Sequence, residues 1–194
     1  MSDGARADLL RRLRDAVSID VAMPPRPHGM RGASVLLLFD PSEATLPLLF
    51  VQRSAELRFH AGQIAFPGGG AEPDDRDVVA TALREAAEEV GVQPENVEVL
   101  GLLQPLITVT SDRWLTPVVA LQRGPWDVRG DGVEVAEWFC IPLTDLMTAA
   151  HTVRRLERDG RSRDVHFYET HGRVIWGVTG AILHELLHRL GRSD

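Results

Sequence analysis

Glu85, Glu88 and Glu89 stand three and four residues apart in the run Arg84-Glu85-Ala86-Ala87-Glu88-Glu89-Val90-Gly91. At helical periodicity this spacing puts the three carboxylates on one ridge, with Val79, Leu83, Ala86 and Val90 on an opposite apolar face. Like charges so placed repel by roughly 0.2–0.5 kcal/mol per exposed pair. Such a ridge either faces water or neutralises a cation. Hard divalent ions such as Mg2+ or Mn2+ take oxygen ligands of this type together with substrate phosphates. Just upstream lies Phe66-Pro67-Gly68-Gly69-Gly70. Glycines let a backbone turn sharply and approach a ligand closely, and a turn feeding an acidic helix suits a phosphate and metal corner. Gly68 and Gly69 are therefore candidate substrate contacts. A dication held there lowers the pKa of an attacking water, and a nearby carboxylate takes the proton. Glu85 is one candidate base. Glu134, in Asp131-Gly132-Val133-Glu134, is a second that could project from a loop, or it is an ordinary loop-edge acid. Arg53 and Arg58 flank the approach to the glycine corner; planar guanidinium groups suit bidentate phosphate contacts, the alternative being solvent-facing arginines. His60, a single loop histidine, reads as a surface residue.

A second pattern asks for different chemistry. His184-Glu185-Leu186-Leu187-His188 fits H-E-x-x-H, in which two histidines one turn apart hold Zn2+ and the glutamate acts as base in a metalloprotease. Leu183, Leu186, Leu187 and Leu190 set the apolar face of the same segment, which turns the histidines toward solvent, and few residues follow His188 to supply a third ligand. The expectation is an amphipathic helix, with the zinc protease as a remote alternative.

Several elements must position these groups. Asp77 to Val90 reads as a helix that stops near Gly91. Ala33 to Phe39, Leu46 to Val51, Val97 to Leu103, Leu115 to Leu121 and Val133 to Ile141 read as strands, and Val165 to Tyr168 with Arg173 to Trp176 as a hairpin turning at Thr170-His171-Gly172. Thr179 to Leu190 reads as a closing helix. Asp8 to Val17 is a further helical segment, followed by the extended connector Met23-Pro24-Pro25-Arg26-Pro27. With no repeat or long linker, this gives one mixed α/β (α+β) domain over residues 31–194, preceded by a helix and proline-rich connector over residues 1–30.

The 194 residues suffice for one full core, and 44% hydrophobic with 25% charged residues fits a soluble globular chain. No apolar run is long enough to span a bilayer, and the N-terminus lacks an apolar signal core, so a cytoplasmic protein is expected. A lone cysteine, Cys140, cannot form an internal disulfide and reads as a small buried residue. The formal net charge of −7 argues against a general nucleic-acid binder, while leaving room for an anionic small molecule brought in by metal ions and local arginines.

The stretch Gly69 to Val92 resembles the Nudix box, G-x5-E-x7-R-E-U-x-E-E-x-G-U. Arg84-Glu85, Glu88-Glu89, Gly91 and Val92 match its second half, with Ala86 a small residue at the first aliphatic position. In the first half the early glutamate position holds Asp75, and one extra residue separates it from Arg84. The resemblance implies an α/β/α sandwich with a mixed central sheet. It also implies Glu88 and Glu89 as metal ligands, Glu85 as ligand or base, and Arg84 as the group that orients the carboxylates. Arg53-Ser54, Arg58, Gly62 and Phe66-Pro67-Gly68-Gly69 further resemble the signature of the coenzyme A pyrophosphatase subfamily, with Val51 and Phe50 as departures. Val109-Thr110, Leu115-Thr116-Pro117-Val118-Val119 and Ile175-Trp176-Gly177-Val178-Thr179 resemble it too. This implies Mg2+- or Mn2+-dependent hydrolysis of coenzyme A to 3′,5′-ADP and 4′-phosphopantetheine, and a homodimer. Other nucleoside diphosphate derivatives (NADH, ADP-ribose, a dNTP) remain the alternative within the family. A non-catalytic nucleotide sensor is disfavoured by the intact Glu85, Glu88 and Glu89.

Overall fold

The apolar run beginning at Ala33 becomes the central strand of a mixed sheet. The computed structural model describes residues 3–17, 26–57, 60–108, 112–158 and 161–192. Helix α1 (Asp3–Ala16) is followed by strands β1 (Arg31–Phe39), β2 (Pro47–Arg53), β3 (Ile64–Ala65) and β4 (Gly68–Gly70), then helix α2 (Val78–Val90). Next come β5 (Val97–Leu102), β6 (Leu106–Ile107), β7 (Arg113–Gln122), β8 (Val135–Pro142) and the short helix α3 (Leu143–Thr148). The chain ends with β9 (Ala150–Arg158), β10 (Arg161–Thr170), β11 (Arg173–Trp176) and helix α4 (Gly177–Arg189).

Strands β1 and β7 pair in parallel over their full overlap, Arg31 opposite Arg113 through Phe39 opposite Leu121. The other pairings of this sheet are antiparallel: β1 with β2, β2 with β8, β5 and β6 with β7, and β3 and β4 as short additions on β2 and β1. Central strands buried on both faces need apolar side chains in both directions, which explains the unbroken runs in β1 and β2. Leu36, Leu38, Leu49 and Val51 pack with Ala82, Ala86 and Val90 of α2 on one face. Leu37, Phe39, Leu48 and Phe50 pack with Leu9 and Leu13 of α1 and Ile182, Leu183, Leu186 and Leu187 of α4 on the other. The result is the expected α/β/α layering around a mixed sheet.

A second, antiparallel sheet, β9-β10-β11, stands against α4. Gly180 permits close contact there, because a Cβ on it would lie 2.5 Å from the His166 carbonyl oxygen. α1 joins the same layer, with Arg189 donating to the Ala16 carbonyl at 3.1 Å and Arg12 donating to that of Leu190.

The structure departs from the sequence reading at several points. α1 begins at Asp3 rather than Asp8. Strand β9 and helix α3 were not anticipated: β9 carries Arg154, Arg155, Glu157 and Arg158, and its charge hides the strand period. Cys140 is half-buried in β8 rather than fully buried, and burial pushes its thiol up to about 12. Met23-Pro24-Pro25 of the connector, Arg58 and Val109-Thr110 lie outside the described residues.

Candidate active site

α2 is defined by its ends. Asp77 caps it by accepting from the Ala80 N–H at 2.8 Å, and Gly91 closes it in the left-handed region at φ 70°, its N–H returning to the Ala87 carbonyl at 3.0 Å. With Ala82, Ala86 and Val90 seated on the sheet, the flank carrying Glu85 and Glu89 is drawn beneath β4. The ridge is therefore not the solvent face that the helical wheel suggests. Glu89 is only 5% exposed, Glu85 is half-buried, and Glu88 alone of the three faces solvent.

The glycine run is what makes room for these acids. The Gly68 N–H donates to Glu89 Oε2 at 3.0 Å. A Cβ on Gly69 would stand 2.5 Å from the Glu85 carboxylate. Gly68 has φ 152°, and a Cβ there would run into the backbone of Ser34 and Val35. The two glycines proposed as substrate contacts thus serve first as the seat of two carboxylates.

Arg84 is held from three sides. Its Nε and Nη2 donate to the two oxygens of Asp75, each at 3.0 Å, and Nη2 also donates to the Gly70 carbonyl at 2.9 Å. Its Nη1 lies 3.1 Å from Glu85 and 3.2 Å from Glu88. Asp75 also accepts from the Thr81 hydroxyl and the Glu72 N–H. The Arg84 bond, foremost, holds the Asp75 carboxyl far below its ordinary range, and the same bond raises the Arg84 guanidinium. The shortened early carboxylate of the motif has a definite place: it fixes the arginine that sits between Glu85 and Glu88.

Arg53, at the end of β2, makes a comparable bridge. Its Nη1 lies 3.5 Å from Glu89 and its Nη2 3.2 Å from Glu134. Glu134 is brought there by its loop: the Asp131 carboxylate accepts from the N–H groups of Val133, Glu134 and Val135 at 3.0, 3.0 and 2.9 Å, and the Asp131 N–H donates to the Glu89 carbonyl at 3.0 Å. Burial works against the Asp131 charge, but those three donors hold its carboxyl below the ordinary value. Asp131 drew no attention in the sequence; an acid two residues before an extended segment carries no signal separating it from any loop aspartate. His60 is exposed and bonded to Gln63 at 2.8 Å, consistent with a surface role.

Negative charge converges here without enough positive charge to balance it. Burial, above all, raises Glu89 to about 7 against the Gly68 N–H and Arg53, with Glu85 and Glu134 adding repulsion. Burial also raises Glu85, partly offset by Arg84. A buried oxygen-rich site that resists ionisation on its own fits a hard dication, which would hold both groups as carboxylates. The site is not a closed cage: among the described residues no three of these carboxylates bring oxygens within 4.8 Å of one another. That suits an ion such as Mg2+, which keeps several waters and uses few protein ligands.

A cavity of about 680 Å³ opens at the edge of the same sheet, lined by Gln52, Gly62, Gln63, Arg173 and Trp176 among others. Gln52 and Arg53 diverge: Arg53 reaches the carboxylates, whereas Gln52 bonds Arg173 at 3.2 Å. The H-E-x-x-H segment does not form a protease site. His184 turns inward to Tyr168, its Nδ1 3.1 Å from the hydroxyl, instead of facing solvent as the apolar face implied. Glu185 is engaged by the Gln104 N–H and by Arg189.

Residues 29–161 match the model of the NUDIX domain, which is more than half of the chain. The chain belongs to the Nudix family. A Nudix hydrolase activity follows from that membership, and Nudix hydrolases generally use divalent metals such as Mg2+ or Mn2+. The chain is 42% identical over 168 residues to an uncharacterized Nudix hydrolase NudL of Pectobacterium atrosepticum, covering 84% of this chain and 86% of that one. It is 38% identical over 175 residues to the protein of the same description from Photorhabdus laumondii, covering 87% and 91%. Among solved structures, a MutT/nudix family protein from Enterococcus faecalis aligns at TM-score 0.52 and 17% identity over 98% of this chain and 70% of its own. A C. elegans Ap4A hydrolase aligns at 0.50 and 20% over 60% and 83%. These structures support the Nudix fold. No helix among the described residues is long and apolar enough to cross a membrane.

Proposed function

We propose that this Nudix hydrolase cleaves the pyrophosphate bond of coenzyme A or its derivatives, releasing 3′,5′-ADP and (acyl-)4′-phosphopantetheine. The observation that carries the metal-dependent chemistry is the convergence of Glu85, Glu89 and Glu134 on one corner, bridged by Arg53 and Arg84. The substrate assignment rests on the sequence resemblance of Arg53-Ser54, Gly62 and Phe66-Pro67-Gly68-Gly69 to the coenzyme A pyrophosphatase signature.

Glu85, Glu88 and Glu89 would hold the dication, which when bound would neutralise charge on the substrate's phosphates and make an attacking water more acidic. Arg84 keeps Glu85 and Glu88 oriented through its fixed bonds to Asp75. Water attacks one phosphorus, the bridging oxygen leaves with the other phosphoryl group, and the water proton passes to a carboxylate, Glu85 or Glu134. Arg53, already between Glu89 and Glu134, turns part of its donor set to a phosphate oxygen, and Arg58 contributes a second cation. Gly68 and Gly69 admit the pyrophosphate close to the backbone. The enzyme acts on a small molecule, in the cytoplasm, as a monomer or homodimer.

The test is product analysis with Mn2+ and a panel of coenzyme A, NADH, ADP-ribose and dNTPs. Release of 3′,5′-ADP from coenzyme A, with the others turned over far more slowly, is expected. Rapid turnover of another member with coenzyme A intact moves the substrate to that nucleoside diphosphate derivative and leaves the metal site in place. Inertness toward all of them points to the sensor reading.

A further inference from the structure

Three histidines distant in sequence meet where β9, β10 and α4 pack together. One ring nitrogen from each of His151, His166 and His184 lies within 4.8 Å of the other two. We propose that they form a second metal site, for a nitrogen-ligated transition-metal dication with Zn2+ as the natural occupant, tying the β9-β10-β11 sheet to α4.

The placement follows from register. His151 lies opposite Tyr168 and His166 opposite Val153 in the β9–β10 ladder, so the two histidines are diagonal neighbours on one face. His151 Nε2 and His166 Nδ1 stand 3.0 Å apart. α4 brings the third ligand: Gly180 lets the helix approach the β10 backbone at His166, and one turn later His184 projects on the same flank, its ring centroid 3.8 Å from that of His166. All three histidines are half-buried.

The donor set selects the ion. Imidazole nitrogen suits Zn2+, Cu2+ or Ni2+, and not Mg2+, whose preference is oxygen. Bonds of about 2.0–2.1 Å place neighbouring nitrogens of a tetrahedral zinc site roughly 3.3 Å apart. The His151–His166 pair is already near that spacing, and rotation of the His184 ring closes the third side. In the metal-free chain the 3.0 Å between His151 Nε2 and His166 Nδ1 fits a hydrogen bond, whichever ring carries the proton. On binding, the ion replaces that bond, and the proton-bearing ring carries its hydrogen on the far nitrogen. Ligation through His184 Nε2 requires the tautomer in which Nδ1–H donates to the buried Tyr168 hydroxyl oxygen, 3.1 Å away. Three protein ligands leave a fourth position for water. His188, exposed, has its ring centroid 6.3 Å from that of His184 and stands outside the trio. The first histidine of H-E-x-x-H therefore has a metal-binding role without its motif partner. The ion is a structural cross-link, separate from the oxygen-lined carboxylate site.

The full chain, stripped with chelator and returned to excess Mg2+ to occupy the carboxylates, is titrated with Co2+ as a spectroscopic probe and then with Zn2+. We expect one equivalent of Co2+ with the visible bands of nitrogen ligation, displaced by Zn2+, and a Tm raised by Zn2+. His166→Asn and His184→Asn should each weaken binding by at least about 100-fold, Tyr168→Phe by about 10-fold, and His188→Asn and Glu88→Gln not at all. The absence of a nitrogen-ligated Co2+ spectrum in the wild-type chain overturns the proposal, whatever the variants do. So does a spectrum lost in His188→Asn, which would make the i, i+4 pair the site, or lost in Glu88→Gln, which would place the ion on the carboxylates. Hydrolysis by the wild-type chain in Mg2+ alone is read separately and does not depend on any of these three outcomes.

Discussion

The Gly68 N–H and the Glu89 carboxylate are joined at 3.0 Å, and this bond couples the glycine turn to the buried end of the acidic helix. Glu89 is almost wholly enclosed, and its charge is opposed by burial and by two other carboxylates. Glu89→Gln keeps the size, keeps an oxygen for the Gly68 N–H and removes the charge. Turnover should fall by roughly 100-fold or more in saturating Mg2+, while the metal-free protein becomes no less stable, because an unfavourable buried charge is gone. Steady-state kinetics beside a thermal melt check this. Near-normal turnover in a folded Glu89→Gln protein is the outcome that removes Glu89 from the metal site.

The same burial fixes a pH dependence. Glu89 is raised from 4.5 to about 7 in the metal-free fold, so between those values the folded chain binds more protons than the unfolded one. The stability Glu89 contributes is present below about 4.5 and lost as pH rises through about 7. Asp75 and Asp131 act with the opposite sign: both are lowered from 3.8, so their contribution is present above that value and is lost on further acidification. The metal-free Tm should therefore decline from pH 4.5 toward 7 and fall again in strong acid. Mg2+ should flatten the decline toward neutrality by holding Glu89 ionised, and Glu89→Gln should diminish it without metal. Melts across pH with chelator, and again with Mg2+, read both effects.

How far the sequence foretells this site depends on which residue is asked about. α2 was legible because Asp77 and Gly91 mark its ends and because Ala82, Ala86 and Val90 have only one face to bury. The spacing of Glu85, Glu88 and Glu89 was equally plain. That Glu89 faces inward was not, since a helical wheel knows nothing of β4, a strand of three glycines that only tertiary packing lays over the helix. Arg53 could be named, but its bridge to Glu134 depends on the turn Asp131 ties with three backbone donors, a long-range outcome of a local motif. The histidine trio was hidden for a different reason. β9 is so charged that its alternation does not show, so His151 had no strand to stand on and His184 was left as half of a helical motif.

Asp75 offers a test of how Arg84 is held. Its two oxygens receive two guanidinium donors, and the side chain is 7% exposed. Asp75→Asn leaves Arg84 facing a neutral amide and turns it toward Glu85 and Glu88, where it competes with the ion. A stability loss of about 2 kcal/mol is expected, with a higher Mg2+ concentration needed for half-maximal activity. Denaturant melts and Mg2+ activation curves separate the two effects. An unchanged activation curve beside the lost stability would make Asp75 a structural anchor only.

Gly69 tests the steric half of the site. A methyl group there would stand 2.5 Å from the Glu85 carboxylate, which must then move. Since displacement of a reacting group by about 1 Å costs on the order of 100-fold, Gly69→Ala should lose that much in kcat with little change in Tm. Gly29→Ala is the matched control, for its Cβ meets nothing within 4 Å although its φ of 81° strains any side chain. Equal activity in the Gly69→Ala variant would mean that the Glu85 position is not held by the glycine turn.

Arg53 poses a question of shape against charge. Its two terminal nitrogens lie 3.5 Å from Glu89 and 3.2 Å from Glu134, so one planar fork spans two acids that come from different elements. A lysine ammonium is a single point that can approach one acid or lie between both at poor distance, and it cannot present two parallel donors to a phosphate. Arg53→Lys should therefore behave nearly like Arg53→Ala, each raising KM for coenzyme A about tenfold, which corresponds to roughly 1.4 kcal/mol of lost charge-assisted bonding. If charge alone mattered, lysine would restore most of the alanine loss. The kinetic contrast reads the same geometry from the other side: with Arg53 absent, Glu89 loses one of the two groups that favour its ionised form, so the acidic limb of the kcat/KM profile should move to higher pH in both variants, further in alanine than in lysine. A limb that stays in place in both would detach Arg53 from Glu89 and leave it as a substrate contact only.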